Sequence, residues 1–192
     1  MVAELCRGKR VLDLCCYNGG FALNAMIRGF AASAIGVDSS QDAVDSAIAN
    51  AKLNGLDQDI SFVKDDITAF MKRSIEAKDE YDIIVLDPPK LAPSLTSLDK
   101  GSRKYHALNR DAMNLINRSQ GGLLLTCTCS AAMTQKDGGS YFLNTVNGAA
   151  LSAKRRATLL RVSGAAACHT QAPASFPAGA YLTAALFHIG PA

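Results

Sequence analysis

The sequence predicts an α/β fold: a doubly wound, mostly parallel sheet with helices on both faces. Three observations carry this. Short β-branched apolar runs alternate with longer segments of helical period, acidic residues close successive apolar runs, and glycines cluster just after the first run.

In chain order the strands are expected at residues 10–15 (RVLDLC), 33–38 (SAIGVD), 60–64 (ISFVK), 81–86 (YDIIVL) and 122–126 (GLLLT), each of ordinary length for a buried strand. Residues 157–162 and 180–188 are candidates for two more. Residues 19–29, 41–54, 68–77, 102–117 and 140–152 have the length and periodicity of covering helices. Ser40 stands as a cap before Gln41, and Asn54-Gly55 tolerates the positive φ common at a helix end. Five consecutive βα units with right-handed crossovers make a doubly wound sheet. The irregular stretches 88–101 and 165–177 read as loops bordering a site, because open α/β sheets gather function at the carboxyl ends of their strands.

The 192 residues, 48% of them hydrophobic, suffice for one domain, expected over 1–192. A net charge of +3 is compatible with a polyanionic partner without demanding one. The six cysteines, at 6, 15, 16, 127, 129 and 168, form no CxxC pair, and the three histidines have no metal spacing, so no metal is expected. No secretory leader and no apolar run of about 18 residues is found. Reduced thiols, an intracellular and in particular cytoplasmic location, and no membrane contact are therefore expected.

The first strand runs into Asp13-Leu14-Cys15-Cys16-Tyr17-Asn18-Gly19-Gly20-Phe21, whose paired glycines let backbone approach a ligand. The helix that follows offers free N–H groups to a carboxylate, such as that of the methionine moiety of S-adenosylmethionine. Asp38, about 20 residues on, is placed to accept two ribose hydroxyls. These features alone also fit a dinucleotide-binding dehydrogenase, but the loop lacks GxGxxG. Asp65 and Asp66 close the third strand, and Asp66 is preferred as acceptor for an adenine amine. The fourth strand ends in Asp87-Pro88-Pro89-Lys90, which has no role in hydride transfer. A lone Asp after a strand usually caps a helix; the series of acids at successive strand ends is what points to a site.

The motifs CYNGGFA, VDSSQDAVDSAIANAKLNGL, FVKDDI, YDIIVLDPPK, LLLTCTCS and FPAGAYL span nearly the whole chain. Together they resemble the bacterial-type large-subunit ribosomal RNA cytosine-C5 methyltransferases. That resemblance implies a Rossmann-like class I methyltransferase fold: seven strands, mostly parallel, with a C-terminal antiparallel hairpin. It implies S-adenosylmethionine as cofactor, ribosomal RNA as partner, and Cys129 as nucleophile. With the residue reading, the cofactor set is Asp13, Tyr17, Asn18, Gly19, Gly20, Phe21, Asp38, Ser39, Asp66 and Asp87. The family's separate N-terminal RNA-binding domain is expected to be absent, since Val11 already belongs to the first strand. Cys168-His169-Thr170 stands where the family tends to have Asp-His-Pro.

Cytosine C5 is a poor nucleophile, and a thiolate added to C6 turns the ring into an enamine that attacks an electrophilic methyl. Cys127, two positions before Cys129, is expected on the same face, packed against a covering helix. Asp87 is positioned to hydrogen-bond the exocyclic amine and N3 of cytosine, while Pro88 and Pro89 stiffen the loop that receives a flipped base. Many RNA cytosine-C5 enzymes carry a second cysteine directly after the two prolines; Lys90 stands there instead, a candidate phosphate contact that leaves the base unassigned. Lys100, Arg103, Lys104, His106 and Arg110 form one basic cluster, with Arg103 and Lys104 the preferred substrate contacts, and Lys154-Arg155-Arg156 forms a second. A methyltransferase acting on a guanine nitrogen or a small molecule, and a non-catalytic module binding cofactor or RNA, remain alternatives on the same fold.

Overall fold

Strand β1 (Arg10–Leu14) is buried from Val11 to Leu14, as a strand covered on both faces must be, and it lies inside the sheet. The structure, a computed structural model, describes every residue except 1, 57, 167, 168, 170–174, 177 and 178. β1 pairs in parallel with β2 (Ser33–Asp38) on one side and β4 (Ile83–Leu86) on the other. β3 (Ile60–Lys64) and β5 (Gly122–Thr128) extend the parallel array outward. Two antiparallel strands, β7 (Thr183–Ile189) beside β5 and β6 (Ala157–Ser163) at the edge, complete the order β3-β2-β1-β4-β5-β7-β6. This is the seven-stranded class I methyltransferase sheet that the resemblance implied. The strand order reverses between β1 and β4, which opens a crevice at their carboxyl ends.

Among the described residues six α-helices accompany the strands: α1 (Gly20–Ile27), α2 (Gln41–Leu53), α3 (Ile67–Ala77), α4 (Leu98–Leu115), α5 (Ala131–Gln135) and α6 (Ser140–Ser152). Ser40 caps α2 by accepting from the Ala43 N–H at 3.3 Å, as its sequence position suggested. Several boundaries differ from expectation. α4 begins at Leu98 instead of 102, so the stretch 88–101 is only partly irregular. Its entry is a turn in which Ser94 N–H donates to Ser97 Oγ and Ser97 Oγ donates to the Ser94 carbonyl. Gly101 then presses on the preceding loop so closely that a Cβ there would stand 2.7 Å from that of Ala92. β5 runs on through Cys127 and Thr128 because β7 supplies antiparallel partners, Ala184 and Thr183. β1 stops at Leu14, since Cys15 turns to φ 64°. β4 starts at Ile83, with Tyr81 making an isolated bridge to Ile116. α5 was not foreseen; Ser130 caps it by accepting from the Met133 N–H at 3.4 Å.

Alternation along the strands divides the core. Leu12, Leu14, Ile84, Leu86 and Leu124 pack with Met71 of α3, Tyr105 and Leu108 of α4, and Phe142 and Val146 of α6. Val11 and Ile83 face Ala22 and Ala25 of α1, while Val85, Leu125, Cys127 and Leu186 form a smaller cluster with Val2. Cys127 therefore packs among strand residues and the N-terminal turn, not against a covering helix. This second face is the one on which Asp13 and, by continuation past β4, Asp87 emerge.

The second basic group proves to be structural at its centre. The Arg155 guanidinium is buried and donates to the carbonyls of Gly190, Met113, Ile116 and Asn117 at 2.8–3.1 Å. It thus closes the C-terminal end of α4, where carbonyls lack helical partners and a cation is favoured. Among the described residues no helix is long and apolar enough to cross a membrane.

Candidate active site

The loop after β1 is built by backbone hydrogen bonds to the neighbouring strand: the N–H groups of Cys15 and Cys16 both donate to the Val37 carbonyl, at 2.9 and 3.0 Å. Positive φ at Cys15, Tyr17 and Gly19 coils the chain tightly into α1. Only glycine suits position 19, because φ is 84° and a Cβ would lie 2.8 Å from the ring of Phe62. At Gly20 a Cβ would meet nothing nearer than Asn18 Oδ1 at 3.8 Å, so that backbone lies open to approach. Tyr17 and Phe21 both reach solvent beside it.

Acids converge on this loop. Asp13 is wholly buried; its Oδ2 accepts from the Ala22 N–H at 3.0 Å, and its Oδ1 has no partner. Burial first, and then the charges of Asp87 and Asp38, push its carboxyl up to about 7. Asp38 accepts from the Tyr17 N–H through Oδ2 and from the Ser40 N–H through Oδ1, so it braces the loop while remaining exposed along its edge. Asp66 caps α3, its Oδ1 accepting from Thr68 and Ala69 at 2.9 and 3.0 Å. Asp65 is instead ion-paired with Arg73 on α3. The Cys15 thiol is driven up to about 12 by burial and then by Asp38, Asp87, Asp13 and Asp66. Four carboxylates from β1, β2, the end of β3 and the end of β4 therefore share one field, which suits a cationic ligand.

A cleft of about 110 Å³ beside the loop is lined by Cys15, Ser39, Asp66, Pro88, Pro89 and Lys104, with Leu91 and Leu108 at its apolar side. It brings the ends of β1, β2, β3 and β4 to one place. On the other side of the loop a wider, mainly apolar groove of about 650 Å³ runs past Gly20, Phe21 and Asn24 to Leu125 and Ala184. The orphaned Asp13 oxygen, the open backbone at Gly20 and the shared acidic field fit an aminoacyl sulfonium nucleoside such as S-adenosylmethionine.

Beyond β5 the chain alternates sharply. Thr128 and Ser130 are fully buried, whereas Cys129 between them is partly exposed. Cys127 is buried, and burial, followed by Asp87, holds its thiol far above the ordinary range. At Cys129 burial and Asp87 push the thiol up, and the Lys90 charge draws it down. Asp87, itself raised by burial, thus lies within electrostatic reach of both thiols.

The basic cluster does not act as one patch. Lys104 lines the cleft, while Arg103 lies across the helix in a separate depression with His106 and Asn144. His106 Nε2 pairs with Ser152 Oγ at 3.1 Å, and Arg110 is bound to Asp111 at 2.8 Å. Sequence reasoning missed Tyr105, whose hydroxyl lies beside Thr128; only its place on the apolar stripe of α4 with Leu98, Leu108 and Ala112 hinted at burial. Cys168 and Thr170, and parts of the 165–177 stretch and of FPAGAYL, lie outside the described residues. No group of three or more possible metal ligands occurs among the described residues.

A family model described as "Methyltransferase domain" matches residues 5–163. Ribosomal RNA large subunit methyltransferase I of Aeromonas hydrophila is 41% identical over 181 residues, covering 94% of this chain and 44% of that protein. Its counterpart from Photobacterium profundum is 39% identical over 176 residues, 91% of this chain and 42% of that protein. The chain thus spans less than half the length of these curated relatives. Among solved structures, "SMU.776, a putative methyltransferase complexed with SAH" superposes with a TM-score of 0.80 at 25% identity, over 97% of this chain and 48% of that one.

Proposed function

We propose, from the premise that this chain belongs to the methyltransferase domain family, that it transfers a methyl group from S-adenosylmethionine to C5 of a cytosine in large-subunit ribosomal RNA. The observation that carries the acceptor chemistry is the pair Cys127 and Cys129: of the two thiols at the end of β5, Cys129 is the partly exposed one, beside Asp87 and Lys90. The relatives named for large-subunit ribosomal RNA methylation support RNA as the partner.

Bound along the 13–21 loop, the cofactor supplies an electrophilic methyl on a sulfonium. Asp13 and the backbone at Gly19 and Gly20 hold its amino-acid end, Asp38 and Ser39 its ribose, and Asp66 its adenine amine. Pro88 and Pro89 stiffen the loop that receives the base, and Lys104 lines the cleft beside Asp66. The Cys129 thiolate adds to C6 of the cytosine, and Lys90 stabilises that thiolate electrostatically besides serving a phosphate. Asp87, its carboxyl raised by burial, hydrogen-bonds the exocyclic amine and N3 and so favours protonation of the ring as the thiolate adds. C5 takes the methyl, its proton is then lost to a base, and the C–S bond breaks to release Cys129. Arg103, on a separate surface, contacts RNA outside the pocket.

The test is methyl transfer from labelled cofactor to large-subunit ribosomal RNA. Cys129→Ala is expected to abolish incorporation, whereas Cys127→Ala retains it. Undiminished transfer by Cys129→Ala would instead indicate direct attack by an acceptor such as a guanine nitrogen, which needs no thiol.

A further inference from the structure

Both residues flanking Cys129 are tied through buried hydroxyls, Thr128 to α4 and Ser130 to the loop that follows Asp87. Tyr105 stands on the inner face of α4, wholly buried, its ring edge-on to Phe142 of α6 at 5.5 Å between centroids. Its hydroxyl accepts from Thr128 Oγ1 at 2.8 Å. Thr128 Oγ1 in turn accepts from the Ser130 N–H at 3.3 Å. On the far side of Cys129, Ser130 Oγ donates to the carbonyl of Ala92. Thr128 is thus fastened to α4 by way of Tyr105, and Ser130 directly to Ala92.

A buried phenol normally finds a partner. Here the partner, Thr128, belongs to the segment that carries Cys129, while α4 itself rests on the loop that follows Asp87 to Lys90. That seat is one turn before Tyr105, where a Cβ at Gly101 would lie 2.8 Å from the Leu91 carbonyl oxygen. The flanking hydroxyls point into the core, so the backbone at 129 is held from behind while its thiol stays free at the front.

We infer that Tyr105, acting through Thr128, is a positioning residue that holds Cys129 at a set distance from the Asp87–Lys90 loop, so that nucleophile and acid meet the same base together. This rests on the reading of Cys129 as nucleophile. Tyr105 touches neither substrate nor cofactor. Removing its hydroxyl leaves Thr128 Oγ1 without its acceptor and frees the Thr128–Ser130 segment to shift against Asp87. A displacement of about 1 Å at a nucleophile costs on the order of 100-fold in rate.

The experiment compares Tyr105→Phe, Thr128→Val and Thr128→Ser with the unmodified enzyme in two readouts. The first is kcat and KM for methyl transfer to large-subunit ribosomal RNA. The second is the pH profile of Cys129 alkylation by iodoacetamide, located by mass spectrometry. Tyr105→Phe and Thr128→Val are expected to lower kcat about 10- to 100-fold, with cofactor affinity unchanged and an altered alkylation profile, and Thr128→Ser to restore both readouts. If Tyr105→Phe should fail to fold, the Thr128→Val and Thr128→Ser pair decides. Unchanged kcat and an unchanged alkylation profile in folded Thr128→Val or Tyr105→Phe, beside an inactive Cys129→Ala, overturn the inference alone. Normal methylation by Cys129→Ala overturns the nucleophile reading on which it rests.

Discussion

Asp13 shows how one residue can be costly for the fold and useful to the site. It is fully buried with one oxygen unpartnered, and its carboxyl is raised from 3.8 to about 7. The folded protein therefore keeps this proton to higher pH than the unfolded chain does. Stability contributed here falls as pH rises from 3.8 to about 7 and is level above. In urea titrations across that window, Asp13→Asn is expected to gain on the unmodified protein by up to ~1.4 kcal/mol per pH unit. Parallel pH profiles for the two would show that Asp13 is not held in the protonated form. Such a cost is tolerated where a cationic ligand repays it, which is the role assigned to the acids around the 13–21 loop.

At the level of elements, α4 joins the large core to the site. Its N-terminal half is seated on the loop after Asp87, and its C-terminal end is closed by Arg155, which serves four carbonyls from inside the protein. Arg155→Met strands those carbonyls and is expected to cost about 3 kcal/mol in denaturant unfolding. The exposed neighbour Lys154→Gln changes stability by less than about 0.5 kcal/mol. Equal midpoints for the two variants would contradict the assignment of Arg155 as a strut. The sequence showed three adjacent cations and no sign of which was buried. That sign depends on where β6 starts relative to the end of α4, a contact across about 40 residues of chain that no local pattern records.

Across the whole molecule the same boundary separates what was legible from what was not. All seven strands and five helices were readable because periodicity and strand-end acids are local signals. The antiparallel placement of β6 and β7 came from the family resemblance. β5 was read two residues short because its last pairs are made with β7, far along the chain. In the site, Asp13, Asp38, Asp66 and Asp87 each announce themselves at a strand end, but their shared field around Cys15 emerges only once the strands stand side by side. The place of Tyr105 behind Cys129 was invisible because its partner Thr128 lies on another segment. The basic cluster read as a unit on α4 is divided by helix geometry, with Lys104 and Arg103 on different surfaces.

The claim on which the function turns is that the sulfur of Cys129 bonds to a pyrimidine carbon during turnover. Large-subunit ribosomal RNA bearing 5-fluorocytosine tests it directly, because fluorine at C5 cannot leave as a proton does and the C–S bond then persists. Incubation with S-adenosylmethionine is expected to yield a denaturation-resistant protein–RNA adduct whose linked peptide maps to Cys129. Efficient methylation of unmodified RNA with no adduct on the fluorinated RNA, or an adduct mapped to Cys127, would contradict the account.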